Sequence, residues 1–163
     1  MRRLERSRHR ARSIGAMAQR IVSATRTIAA PAEKIFNVLA NPALHPVIDG
    51  SGSVKAPKTN PERLFLGATF SMDMKLGISY VTKNRVSEFE ENHVIAWHHF
   101  AQFVWRYQLD AVDGGTKVTE TFDYSKPWGI LIEINGTPKK NQASMERTLA
   151  RLDSYVTTGS VDA

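Results

Sequence analysis

The sequence predicts an α+β domain in which a curved antiparallel sheet of about seven strands wraps around one long C-terminal helix, with two short helices after the first strand. Three observations predict it. A strand-like segment runs directly into a Pro-started helix, the middle of the chain alternates apolar and polar residues with period two, and the last long segment repeats apolar residues at helical spacing.

The elements follow in order. Ile21 to Ile28 alternates as a strand, and Pro31 opens a helix to Leu39, with Glu33 placed to favour its dipole and Ile35, Val38 and Leu39 as its buried stripe. Asn41-Pro42 breaks that helix, and Pro42 to His45 has room for one further turn before Pro46. Asp49 to Gly67 is rich in Gly, Ser, Pro, Lys and Asn and reads as exposed, with Ser51 to Ala56 pairing briefly as a strand. Ala68, Phe70, Met72 and Met74 then oppose Thr69, Ser71 and Asp73, while Phe103, Trp105, Tyr107 and Leu109 oppose Val104, Arg106, Gln108 and Asp110. Tyr80 to Phe89 and Val94 to His99 are strands between them, and Asp113-Gly114-Gly115 turns the chain into Thr116 to Tyr124. In the closing helix Thr137 is the expected cap, Pro138 suits the first turn, Met145, Leu149, Leu152 and Val156 form the apolar stripe, and Gly159 ends it.

With 163 residues and 42% hydrophobic content, the chain fits one domain over 20–158, preceded by a leader at 1–19 and followed by a short tail at 159–163. The absence of cysteine excludes disulfides, thiolate zinc sites and cysteine nucleophiles. The net charge of +6 lies in residues 1–20, the leader and the first residue of the domain, where Arg2, Arg3, Arg6, Arg8, Arg10, Arg12 and Arg20 meet Glu5 alone. A neutral body behind such a leader does not match a dedicated nucleic-acid domain, so no specific nucleic-acid binding is expected. The leader lacks the apolar stretch of a secretory signal, and no segment is long enough to span a bilayer, so the expected setting is cytoplasmic. It reads either as a solvated basic arm, as an organelle transit peptide, or as a stretch ahead of a true start at Met17.

The Pro-started helix in Ile28-Ala-Ala-Pro-Ala-Glu-Lys-Ile-Phe36, the hairpin Gly114-Gly-Thr-Lys-Val-Thr-Glu-Thr121 and the terminal helix resemble the START-related (SRPBCC) superfamily. That superfamily includes polyketide cyclases and dehydrases, lipid-transfer domains and birch-pollen-allergen-like proteins. The likeness covers Ile21 to Val156 and implies a helix-grip fold, in agreement with the element order.

Candidate ligand-binding residues are the large side chains expected to face the terminal helix: Phe70, Met72, Tyr80, Trp97, Trp105, Tyr107 and Phe122, with Met145 and Leu149 on the helix itself. Each either packs the core or lines a cavity. Glu120 shares the parity of Val118 and Phe122, so it either points inward, where desolvation would raise its pKa and suit proton transfer, or reaches water at an edge. His99 shares a face with Trp97 and His98 takes the other, which argues against a shared metal; no metal and no nucleotide cofactor are expected. Ser125 to Gly136, with Trp128 and the apolar run Ile130 to Ile134, is either a lid at the cavity mouth or a packed connection.

The leading expectation is a monomeric or homodimeric module that binds a hydrophobic or amphipathic small molecule, lipid or polyketide-like, between sheet and helix. The resemblance implies an alternative, a cyclase or dehydratase with Glu120 or His99 as general acid or base. A third reading is a protein-interaction module with a filled core.

Overall fold

The computed structural model describes residues 19–99 and 101–161, so the basic leader lies outside the described residues apart from Gln19. Seven strands form one sheet in the order β1-β7-β6-β5-β4-β3-β2: β1 Ile21–Ile28, β2 Val54–Pro57, β3 Thr69–Leu76, β4 Ile78–Glu90, β5 Val94–His98, β6 Val104–Val112 and β7 Gly115–Asp123. Every neighbouring pair is antiparallel. Helices α1 Ala32–Leu39 and α2 His45–Ile48 follow β1; α3 Gly129–Ile134 and α4 Thr137–Thr158 close the chain.

Alternation of side chains determines what the sheet buries. Phe70 and Met72 on β3, Val86 on β4, Ile95 on β5, Tyr107 and Leu109 on β6 and Val118 and Phe122 on β7 are all buried on one face. The stripe Met145, Leu149, Leu152 and Val156 of α4 is buried as well, and each such side chain contributes about 1.5–3 kcal/mol by leaving water. Ion pairs at the two ends of β1 show the direction in which α4 runs: Arg20, just ahead of the strand, meets Glu133 just before the helix at 2.8 Å, and Arg26 meets Asp153 near its far end at 2.7 Å.

Antiparallel pairing gives the sheet two unlike ends. The start of β1, the β3–β4 turn at Gly77, the β5–β6 connection and α3 share one end, here the α3 end; α1, α2 and the turns at 91–93 and 113–114 share the other. β5 pairs with β4 no further than Arg85, so residues 78–84 of β4 run on beside β3 alone, as the free edge of an arm toward the α3 end whose other side is closed by β2.

Several local expectations need correction. Pro46 does not stop the second helical segment: a 3-10 turn at Pro42–Leu44 passes into α2, where Pro46 sits in the first turn and its missing N–H has no partner to lose. The brief strand starts at Val54, because Ser51 is taken up by Asp49, whose carboxylate accepts from Ser51 N at 3.0 Å and Val54 N at 2.9 Å. Thr137 lies inside α4, and Gly136, at φ 68°, takes the cap position. The segment 125–136 folds into α3 but is not packed down: Trp128, Ile130, Leu131 and Ile134 are exposed, and Ile132 alone among them leans on the core.

The seam between α2 and α4 is made by backbone. Gly50 N donates to Thr148 Oγ1 at 2.9 Å, Arg147 Nε donates to Gly50 O at 2.8 Å, and Arg151 donates twice to Val47 O. A Cβ on Gly50 would collide with Ser144 O and Thr148 N on the α4 backbone, which cannot retreat without shifting the helix. Gly50→Ala is therefore expected to destabilise the protein by about 2 kcal/mol or more, read as a drop in the urea midpoint at unchanged slope.

Candidate functional site

The site grows out of one row of the sheet. Ala24, Glu120, Tyr107 and Ile95 are register partners across β1, β7, β6 and β5, all on the face that meets α4. The parity of β7 therefore carries Glu120 inward with Val118 and Phe122, and its residue is 2% exposed. Tyr107 Oη donates to Glu120 Oε1 at 2.8 Å, and Glu120 Oε2 is buried with no hydrogen-bond partner among the described residues.

An ionised carboxylate cannot be held in that setting without a large desolvation cost. Burial pushes Glu120 up to about 8, the bond from Tyr107 pulls the other way, and the negative charge of Asp49 at the end of α2 adds to the rise. Burial likewise raises Tyr107 well above its ordinary value, with Glu120 next among the causes, so the phenol stays a neutral donor. At neutral pH the pair is thus a phenol and a carboxylic acid whose second oxygen has an O–H to give.

Aromatic rings connect this pair with the α3 end. Trp97 lies 5.7 Å from Tyr107, 5.5 Å from Phe70 and 5.2 Å from the ring of His45, on which it stacks. In the same row as Trp97, Trp105 and Phe122 are 4.5 Å apart, and Phe122 meets Phe103 and Tyr124. Trp97 and Trp105 face inward yet are only half-buried, so the interior is accessible along them.

Two open grooves reach these rings. One, of about 690 Å³, runs between the β3–β4 arm and the start of the β5–β6 connection and is lined by Phe70, Asn84, His99 and Gln102 among others. The second, of about 580 Å³ and more apolar, lies between that connection and α3 and is lined by Phe103, Trp128, Leu131 and Ile132. Gln102 belongs to both, so the grooves form one continuous rim at the α3 end.

The sequence candidates are distributed accordingly. Phe70, Met72, Tyr107, Glu120, Phe122, Met145 and Leu149 are in the interior, with Trp97 and Trp105 at its accessible margin. Tyr80 stands apart: it is 37% exposed on the arm beyond the end of β5, paired with Met74 of β3 on one side and without a strand on the other. His99 is at the rim, against Phe103 at 5.9 Å, with its pKa lowered by burial and then by His98, and it does not join Glu120 in a pair. Among the described residues no cluster of His, Asp or Glu has metal-binding geometry.

Sequence reasoning missed His45. Its Nε2–H donates to Leu39 O at 2.8 Å and its ring closes the aromatic cluster against Trp97 and Phe70; burial lowers its pKa and keeps it neutral. The only signal was a histidine between two prolines in a helical stub.

Residues 19–157 match the family described as polyketide cyclase / dehydrase and lipid transport. The chain belongs to that family. Among curated relatives of this polyketide cyclase / dehydrase and lipid transport member, the uncharacterized protein Rv0088 of Mycobacterium tuberculosis is 36% identical over 145 residues, 85% of this chain and 65% of that protein. The chain thus matches just under two thirds of that relative's length. Solved folds agree: protein Ms6760 of Mycobacterium smegmatis has a TM-score of 0.68 at 18% identity, covering 88% of this chain and 95% of that one. An AHSA1-like protein from Aeromonas hydrophila gives 0.66 at 18% identity over 85% and 93% of the two chains. Curved sheet, long terminal helix and short helices after the first strand are common to this fold.

The raised pKa has a measurable consequence for stability. The unfolded chain releases the Glu120 proton near the ordinary 4.5, whereas the folded chain keeps it to about 8. The stability that this group contributes is therefore complete below the unfolded pKa and is lost as pH rises through the folded one, a change on the order of 5 kcal/mol. Glu120→Gln keeps an acceptor for Tyr107 and removes the titration. Its unfolding free energy is expected to gain on wild type from pH 5 to about pH 8 and to level off above that; parallel profiles in urea would show that the carboxyl is not held neutral.

Proposed function

We propose that this family member binds a hydrophobic or amphipathic small molecule, lipid or polyketide-like, that enters at the α3-end rim and directs a polar group toward Tyr107 and Glu120. The observation that carries the reading is a buried carboxyl oxygen without a partner, linked through Tyr107, Trp97 and Phe70 to an open groove. An apolar body would replace water along the half-buried Trp97 and Trp105, at about 25 cal/mol for each Å² removed. A carbonyl or hydroxyl oxygen on the ligand would accept from the neutral Glu120 and satisfy the buried Oε2 that the fold leaves without a partner among the described residues. The family's description, polyketide cyclase / dehydrase and lipid transport, supports the ligand class. The absence of cysteine and of any helix, among the described residues, long and apolar enough to cross a membrane agrees with a cytoplasmic setting.

A second reading is favoured by the same carboxyl. A pKa of about 8 lets Glu120 give a proton to, or take one from, a bound β-dicarbonyl compound, as an aldol cyclisation or dehydration requires. Tyr107 would then hold the carbonyl oxygen or keep Glu120 in its orientation. Turnover of such a substrate that falls about 100-fold or more in Glu120→Gln, with affinity retained, would select catalysis over carriage.

Binding is tested first by native mass spectrometry of the purified chain and by titration with fatty acids and aromatic polyketides, followed by tryptophan emission. A discrete apolar adduct, or a blue shift lost in Trp97→Ala, is expected. Tyr107→Phe, which leaves Glu120 without its donor, should weaken affinity about tenfold. An unmodified mass together with unchanged emission across both panels would overturn the reading and favour a filled core.

A further inference from the structure

The α3 end carries large apolar side chains that the fold does not use. Leu76 and Ile78, 73% and 77% exposed, flank the β3–β4 turn, and Trp128 and Ile134, 67% and 77% exposed, flank α3. Ile130, Leu131 and Ile134 share the face of α3 turned away from Ile132, which packs on the core. Exposed apolar groups of this size gathered at one end of a sheet mark an interaction surface.

Exposed lysines stand around them. Lys75 precedes Leu76, Lys126 stands two residues before Trp128, and Lys139 and Lys140 follow on the first turn of α4; all four are exposed and none is ion-paired among the described residues. Glu133, the one acid of α3, is neutralised by Arg20. Arg20 also ties the start of β1 to this end, because its N–H donates to Ser125 Oγ and its carbonyl accepts from Tyr124 N. The segment that precedes Arg20 in the sequence carries a further excess of five positive charges, six arginines against Glu5.

We propose that the α3 end docks on an anionic lipid bilayer, with the Leu76–Ile78 turn and the Trp128–Ile134 face in the interfacial layer and Lys75, Lys126, Lys139 and Lys140 on the headgroups. Two short apolar projections separated by a groove suit a fluid surface that closes around them. Trp128 is of the residue type that favours the headgroup level. A second copy of the chain would oppose the same cations to each other, whereas an anionic surface neutralises them and attracts the arginine-rich segment. The proposal goes beyond ligand binding and is read without any cavity ligand.

The full chain is tested by co-sedimentation with vesicles of phosphatidylcholine alone and with about 30% phosphatidylglycerol. Binding to the anionic vesicles is expected to be about tenfold tighter or more and to weaken as salt rises. The double variant Trp128→Ser/Ile134→Ser removes exposed side chains only, so its circular dichroism and thermal midpoint should match wild type while vesicle affinity falls about tenfold. Lys75→Glu/Lys126→Glu should lose a comparable factor on anionic vesicles. Brominated lipid should quench wild type more than Trp128→Phe. Three results overturn the proposal: no binding to anionic vesicles at millimolar lipid, undiminished binding of the Trp128→Ser/Ile134→Ser variant, or a concentration-dependent dimer that this variant abolishes.

Discussion

The interior of this protein depends on the register of β7 between β1 and β6. That register sets Glu120 beside Ala24 and Tyr107, with Val118 and Phe122 one step to either side, all facing the terminal helix. A slip of one residue would exchange Glu120 for Thr119 or Thr121 and turn the whole apolar set of β7 to the opposite face. The pairing is thus specified by the burial of Thr116, Val118, Phe122 and Tyr124, and it admits the carboxyl as its exception. Such an exception persists only in neutral form, since one neutral hydrogen bond is far weaker than the desolvation of a charge. Tyr107 alone does not compensate the burial, and the proton supplies the rest.

The helices at the other end complete this arrangement. Asp49 is tied down by Ser51 and Val54, and the residue after it, Gly50, is fastened to α4 through Thr148 and Arg147. Its negative charge therefore stays where it opposes ionisation of Glu120. His45, three residues ahead of α2's last residue, carries the same helix into the aromatic cluster through Trp97 and Phe70. Stability and site chemistry meet in these few residues: the backbone contact at Gly50 that closes α2 on α4 also fixes the electrostatics one layer below.

Much of this was legible in the sequence because period-two alternation is a strong signal in long strands. β1, β6 and β7 could be read from alternation alone, and the parity that buries Phe122 and Tyr107 is the same parity that buries Glu120. What escaped has a different physical origin. α3 is six residues long, too short for helical periodicity, and its apolar run is exposed rather than amphipathic toward the core. His45 gains its role from Leu39 O and from Trp97, a ring more than fifty residues away in the chain. Tyr80 followed the inward parity of Met74 but lies where β4 has outrun β5, so parity no longer implies burial. Alternation tells which face a side chain takes; only the neighbouring strand tells whether that face is covered.

That last point explains why the open grooves and the buried acid belong to one design. A sheet that loses β5 beside the β3–β4 arm leaves a gap at the α3 end, and inward-facing aromatics next to the gap stay half-buried. The acid is farther in, in the row where β1, β7, β6 and β5 all pair and water is kept out. Access and desolvation are therefore separated along the strands by one or two side-chain rows. A guest entering over Trp97 and Trp105 would meet apolar surface first and the unpartnered carboxyl oxygen of Glu120 last, so affinity and orientation would arise from different rows of the same sheet. Because the neutral acid is the form that donates, a guest with an acceptor oxygen would stabilise the bound proton further, and binding and protonation would support each other up to the pKa of about 8.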